Sequence, residues 1–322
     1  MMKKKIIVVC VSFCLLFFAC WYWVSSSNKL TPRLVPPGSS LPQKEIVFMP
    51  LNYTKEKSMS FTNSDGKGLE SLTYEIPVPF PFKHSPIKQY EISLGRIFTW
   101  SLDGKSVGGI FPTWQTNGQG YPIVVHEDGK ISYCEPEDSI IAKDEILVLS
   151  ENEVMAIEIF PDSEKQYLEI FNMDTCQISK YIYIPQGNEA LGSFSYTKNH
   201  WLALGIGSLL YWQNDPQNTD FVGIRIYDPT MKLIMEIKNA YSPSLSKDGK
   251  KIAYINDVKE ICFTEIEIFN PKCNGEANLR ISWSPDGKQI VYSNFNDKVV
   301  ILDITTGEET IIADGFFPDW RP

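Results

Sequence analysis

Along most of the chain, apolar and polar residues alternate over short stretches bounded by Gly, Asp, Asn and Pro, the period-two pattern of half-buried β-strands. The clearest case has Ile281 and Trp283 before a turn and Ile290 and Tyr292 after it. The turn itself, Ser284-Pro285-Asp286-Gly287-Lys288, has the chemistry of a tight hairpin. Asp accepts hydrogen bonds from nearby backbone N–H groups, Gly takes the positive φ, and Pro presets φ ahead of them. A second pattern is apolar on both faces: Val299-Val300-Ile301-Leu302-Asp303-Ile304 reads as a strand covered on both sides by neighbouring sheets. It ends at Thr305-Thr306-Gly307-Glu308, and the same strand-then-turn order is expected at Ile224 to Pro229, Tyr167 to Asn172 and Ile266 to Pro271. No long amphipathic helix interrupts these stretches, so an all-β fold is predicted.

The hairpin is repeated. Trp100-Ser101-Leu102-Asp103-Gly104-Lys105 and Trp283-Ser284-Pro285-Asp286-Gly287-Lys288 are near copies, and Asp-Gly-Lys occurs five times, at Asp65, Asp103, Asp128, Asp248 and Asp286. Degenerate copies stand at Leu149 to Glu153 and Phe194 to Asn199. With Gly66, Gly104, Glu153, Asn199, Gly249 and Gly287 as markers, the steps are 38, 49, 46, 50 and 38 residues. About forty residues make one four-stranded blade, so the pattern predicts a six-bladed β-propeller, with five or seven blades as neighbouring counts. Asp128-Gly129 falls between markers and reads as a second hairpin within a blade. Asp103, Gly104, Asp248, Gly249, Asp286 and Gly287 are accordingly assigned to architecture. At the carboxyl end, Phe317-Pro318-Asp319-Trp320-Arg321-Pro322 repeats the segment up to Trp283-Ser284-Pro285 and stops where the Asp-Gly turn would come. A repeat cut there predicts that the other end of the chain completes it, which leaves a sheet without exposed edges. Either Ile46 to Met49 pairs with the final strand, or Ser64-Asp65-Gly66-Lys67 opens the shared blade.

The Trp-Ser-x-Asp-Gly-Lys motif followed by an Ile-Val-Tyr strand, at Trp283 to Tyr292 and more loosely at Ser246 to Tyr254, resembles the repeat of TolB-like β-propellers. The resemblance is strongest over residues 240–322 and covers the propeller only, without the amino-terminal domain that TolB carries. It implies a six-bladed ring, usually extracytoplasmic, used as a docking surface.

The amino terminus points to the same place in the cell. Lys3, Lys4 and Lys5 precede an unbroken apolar stretch from Ile6 to Val24 that closes on Trp21-Tyr22-Trp23. That length is near the ~20 residues of a membrane-spanning helix, and the lysines orient it with the start of the chain inside. Residues 1–24 are thus a signal anchor, a cleaved signal peptide or, with Ala19 before Cys20, a lipoprotein signal that lipidates Cys20. Residues 25–44, crowded with Ser and Pro, read as a tether, and residues 45–322 as the propeller. The net charge of −9 repels phosphate backbones and argues against a nucleic-acid partner. A monomer held at the membrane, with a protein or envelope ligand as its partner, is the expectation.

Candidate chemistry is sparse. A hydrolase elbow is absent, and His84, His126 and His200 have no metal-ligand spacing, so structural roles are expected and no cofactor or metal is predicted. Asp215, Asn218 and Asp220 form a polar loop without EF-hand spacing. Cys134, Cys176, Cys262 and Cys273 allow two disulfides in three pairings. Trp100, Trp201, Trp283 and Trp320 share the repeat register and are assigned to blade packing, whereas Trp114, Tyr211 and Trp212 lie outside it and are the candidate ligand surface. Two functions stay open: a membrane-tethered binding module of the cell envelope, or a propeller hydrolase or lyase acting on glycans through channel carboxylates.

Overall fold

The computed structural model describes residues 40–51, 58–73, 98–112, 120–134, 142–159, 166–185, 189–208, 223–278 and 280–322. Among them every regular element is a strand. The chain opens with β1 (Ile46–Pro50), β2 (Ser58–Thr62) and β3 (Glu70–Thr73), side by side and antiparallel. Next come β4 (Thr99–Trp100), β5 (Ser106–Pro112), β6 (Gly120–His126) and β7 (Ile131–Tyr133), then β8 (Ala142–Ser150), β9 (Glu153–Ile159), β10 (Gln166–Asn172) and β11 (Gln177–Tyr183). The series continues with β12 (Glu189–Tyr196), β13 (Leu202–Ser208), β14 (Gly223–Tyr227) and β15 (Leu233–Ile237), and with β16 (Ala240–Leu245), β17 (Lys251–Asn256), β18 (Glu260–Glu265) and β19 (Lys272–Glu276). It ends with β20 (Ile281–Trp283), β21 (Gln289–Ser293), β22 (Lys298–Asp303) and the long β23 (Glu309–Trp320). Within each of these groups consecutive strands pair antiparallel, giving an all-β, propeller-like arrangement of small sheets.

The strand β23 serves two sheets. Its first half pairs with β22, and its second half pairs with β1 in the register Ile46↔Trp320 and Val47↔Asp319. Of the two seams left open by the sequence, the structure takes the direct one. The last strand thus lies beside the first, and Arg321 N donates to Glu45 O where a hairpin would otherwise run. Ser40 to Lys44 already belong to the folded body: Leu41 is buried among Phe98, Trp100, Val107 and Val125, and its N–H donates to Glu127 O.

The doubly apolar strand shows why the sheets stack. Val300 and Leu302 pack with Ile255, Ile261 and Trp283 on the side of the preceding sheet, while Val299 and Ile301 pack with Ile46, Phe48 and Trp320 on the following one. Burying such a side chain on both faces contributes ~1.5–3 kcal/mol each, and a polar residue in the strand would lose that on one face.

The first strands of the groups contact one another in a circuit: β4 to β8, β8 to β12, β12 to β16, β16 to β20, β20 to β23, and β23 back to β4. Every step carries a hydrogen bond. Thr99 Oγ1 donates to Ile146 O, Phe194 N to Glu145 Oε2, and Leu245 N to Ser195 Oγ. Trp283 Nε1 donates to Ser244 O, Trp320 N to Ser282 Oγ, and Trp100 N to Asp319 Oδ2. Three of these repeat one geometry, in which the first-strand residue at the tryptophan position (Trp100, Leu245, Trp320) donates its amide to the side chain preceding that position on the neighbouring sheet.

Three sequence expectations are corrected. Ile266 to Pro271 is a turn between β18 and β19, with Phe269 at φ 38°, because the strand already ends at Glu265. The Asp65-Gly66 hairpin joins β2 to β3, the outer pair of its sheet, so Gly66 is not equivalent to Gly104, Gly249 and Gly287. Trp201 precedes β13 and lies against the Gly249 turn; Tyr196 takes the first-strand position that Trp100 and Trp283 hold.

Candidate functional site

The Asp-Gly hairpins build one end of the molecule, and they do so with one repeated network. Ser101, Ser246 and Ser284 donate their hydroxyls to Asp103, Asp248 and Asp286 at 2.6, 2.7 and 2.7 Å. Each carboxylate also accepts the amide of the lysine two residues on, at 3.0, 3.0 and 3.1 Å. Each serine oxygen in turn accepts the amide five residues on, at 2.9 Å in all three turns. Gly104, Gly249 and Gly287 sit at φ +69°, +74° and +63°, which a side chain rarely adopts. The bond from Ser284 holds the Asp286 carboxyl below its ordinary range; in Asp103 and Asp248 partial burial opposes the shift, and the serine hydroxyl and lysine amide outweigh it. Asp65 and Asp128 cap the outer hairpins through the lysine amide, joined at Asp65 by the Lys67 ammonium, with Asn63 and His126 standing where the serine would be. The serine therefore separates the inner hairpins from the outer ones.

In the middle of the circuit lies a charged cluster that the repeat does not announce. Arg280, at the entry to β20, reaches Glu145 on β8, three places round the ring, with Nη2 3.6 Å from Oε1, and its Nη2 is 3.9 Å from Asp319 Oδ1 on β23. The arginine and glutamate side chains are only 16% and 8% exposed. Glu145 also accepts the Phe194 amide, and Asp319 the Trp100 amide at 2.8 Å. Burial pushes the Asp319 carboxyl up, against the pull of Arg280, the Ser282 hydroxyl and the Trp100 amide. Arg280 Nη1 has no hydrogen-bond partner among the described residues. The cluster spans the ring and ties three first strands together. Breaking such a buried pair by removing one partner costs ~3–5 kcal/mol. Its only trace in the sequence is a charge at Arg280 and Asp319, flanking positions that elsewhere carry serine.

A second cluster fastens the outer seam between two sheets. Arg225 on β14 donates to Glu189 at 2.6 Å, to Glu236 at 2.7 Å and to Tyr183 Oη at 3.0 Å, and Tyr183 donates to Glu189. Burial, with Tyr227 and Glu189 beside it, drives the Tyr183 hydroxyl well up.

Two histidines have described positions, and both meet hydroxyl groups of neighbouring side chains. His126 is buried between Ser132 Oγ at 2.9 Å and Ser106 Oγ at 3.4 Å, and burial lowers its pKa. His200 holds the left-handed position of a degenerate hairpin, φ 65°, with Nδ1 2.6 Å from Tyr196 Oη. The cysteines pair as Cys134–Cys176 and Cys262–Cys273.

The opposite end carries connections of a different kind. Two are tight turns, Asn256 to Lys259 and Asn294 to Asp297, closed by the bonds Lys259 N to Asn256 O and Asp297 N to Asn294 O. They expose Val258 by 64% and Phe295 by 49%. Trp114 falls between β5 and β6, and Tyr211 and Trp212 between β13 and β14; these three, with Cys20, His84, Asp215, Asn218 and Asp220, lie outside the described residues. The apolar stretch from Ile6 to Val24 does too, and among the described residues no helix is long and apolar enough to cross a membrane.

The geometry defines a propeller-like class of protein in which the first strands form the axis. No protein-family model matches the chain, and no curated protein matches it. Solved structures with similar folds include a chain of a mitotic checkpoint complex, at 12% identity and a TM-score of 0.43, over 74% of this chain and 73% of that one. An oligogalacturonate lyase in complex with manganese matches at 12% identity and 0.46, over 67% and 64%. A complex of KlAtg21 with the coiled-coil of AgAtg16 matches at 13% identity and 0.42, over 86% of each chain. Likenesses this distant carry no activity across to this chain.

Proposed function

We propose that this chain is a six-bladed propeller of the TolB-like kind that acts as a binding module outside the cytoplasmic membrane, tethered there by residues 1–39. The circuit of six hydrogen-bonded first strands supports the blade count. The observation that carries the binding reading is the axial cluster. Its carboxylates, Glu145 and Asp319, are committed to backbone amides and to one guanidinium, so the site is better suited to holding blades together than to moving protons. Binding then falls to the rim opposite the Asp-Gly turns, where Val258 and Phe295 are exposed and where the connections bearing Trp114, Tyr211 and Trp212 begin and end. Leu41 docks at the Asp-Gly end, beside Glu127, so a tether leaving from there directs the other rim away from the membrane.

Capture on immobilised envelope extract tests this reading. Alanine at Trp114, Tyr211 and Trp212 together is expected to abolish a captured ligand with the melting temperature unchanged. A soluble body, Ser40 to Pro322, that cleaves a glycan from a panel and loses that activity on Glu145→Gln would favour the hydrolase or lyase reading instead.

A further inference from the structure

The two disulfides are built for different uses. Cys134 and Cys176 are both buried, in an apolar cluster with Val124, Val154, Phe171 and Met173, and they join the end of β7 to the turn between β10 and β11. Cys262 and Cys273 face each other in register on neighbouring strands, β18 and β19. Here β19 is the outermost strand of its sheet, and Cys273 is exposed while Cys262 is 2% exposed. This bond links strands already paired by the ladder, closing a loop of 11 residues, and so restrains the unfolded chain less than the 42-residue loop of the buried one.

A carboxylate stands beside the exposed pair. Glu260 precedes Cys262 by two residues and so shares its face of the strand, and its oxygen and the two sulfurs lie within 4.8 Å of one another. Asn256 holds it there: Asn256 Nδ2 donates to Glu260 Oε2 at 2.9 Å, and the Glu260 amide donates to Asn256 Oδ1 at 2.8 Å. Around a tetrahedral zinc ion, ligand atoms ~2.0–2.3 Å from the metal stand roughly 3.5 Å from each other, a spacing within reach of three atoms that already lie within 4.8 Å of one another.

We infer that Glu260, Cys262 and Cys273 form a redox-gated site for a soft divalent cation of the zinc or cadmium type, closed as a disulfide and opened by thiol reductants. In the opening step a dithiol attacks the exposed Cys273 sulfur, releasing the Cys262 thiolate and forming a mixed disulfide. The reductant's second thiol then releases Cys273 and leaves as a cyclic disulfide, so the protein gains two thiols. The cation binds as those thiols lose their protons to solvent; two thiolates and one carboxylate supply three ligands, and water fills the fourth position. The site sits on the outer edge of its sheet, next to the turn that exposes Val258.

Cadmium alone, titrated into the full chain, is the probe, read by the ultraviolet thiolate-to-cadmium charge-transfer band. The signal is the band gained over that of Cys10, Cys14 and Cys20, which both forms carry: the oxidised chain is expected to show no such gain, and the chain reduced and freed of reductant to bind one further cadmium ion. Glu260→Gln is expected to weaken that binding at least tenfold while leaving the melting temperature of the oxidised protein unchanged. Cys262→Ser with Cys273→Ser is expected to remove the gain. No gain in the reduced chain, an equal gain in the double serine variant, or unchanged affinity in Glu260→Gln would overturn the assignment; the glutamine variant keeps both cysteines and so decides the matter even where the serine variant folds poorly.

Discussion

The two ends of the molecule are made by different rules. At the Asp-Gly end, three inner hairpins share one network of serine, aspartate and lysine amide, with distances that agree to about a tenth of an ångström. At the other end the two described tight turns share an opening asparagine, Asn256 or Asn294, whose Oδ1 accepts the amide four residues on, but they differ at the residues between, which present Val258 and Phe295 to solvent. The contrast teaches where each kind of information sits: repetition records what every sheet needs in order to fold, and irregularity marks what only one place in the ring needs. The axial cluster belongs to neither end. Among the described residues it is a charged crossing that the repeated hairpin pattern cannot supply.

The comparison can be broken first at the axis. Asp319→Ala leaves the Trp100 amide and one side of Arg280 without an acceptor at the seam where the last strand meets β1, and a loss of ~3–5 kcal/mol is expected in urea unfolding. A loss under about 1 kcal/mol would mean that the cluster is not holding the ring.

Two glycines sharpen the account of the turns. A β-carbon at Gly249 would clash with Trp201 Cδ1, whereas at Gly287 the nearest atom is Lys251 Nζ at 3.9 Å. Both positions need left-handed backbone, so Gly287→Ala should cost ~1 kcal/mol and Gly249→Ala roughly 3 kcal/mol. Equal costs would show that the neighbouring indole yields freely.

The turn aspartates give a smaller, pH-dependent effect. Because the Ser284 bond lowers the Asp286 carboxyl, its folded value lies below its unfolded one. Its stabilisation is therefore complete above the ordinary carboxylate range and lost as pH falls through the lowered value. The difference between the native chain and Asp286→Ala, about 1 kcal/mol at neutral pH, should shrink to nothing in strong acid; a difference that persists there would assign the effect to something other than charge. Smallest of all, Val258→Ser and Phe295→Ser should change stability by no more than ~0.5 kcal/mol, since neither side chain is packed.

Much of this was legible because hairpins and doubly covered strands are local. The strand at Val299 to Ile304, the turn at Asp286 and the truncated repeat at Trp320 each follow from a few neighbouring residues, and the pairing Ile46↔Trp320 completes the last of them. The outer hairpin at Asp65 was confused with an inner one because Asp-Gly-Lys answers the geometry of both; the missing serine was the available sign. Ile266 to Pro271 carried strand-like alternation into a turn whose place is set by where β19 pairs. Glu145, Arg280 and Asp319 are brought together from distant parts of the chain, and no local spacing records such a meeting.

The division between the ends is tested most directly by scanning both in one experiment, with melting temperature and ligand capture measured on the same samples. Alanine at Asp103, Asp248 and Asp286 should lower the melting temperature and leave capture by the folded fraction intact, while alanine at Trp114, Tyr211 and Trp212 should abolish capture and leave melting alone. Capture lost from the aspartate set, with the aromatic set binding normally, would contradict the account.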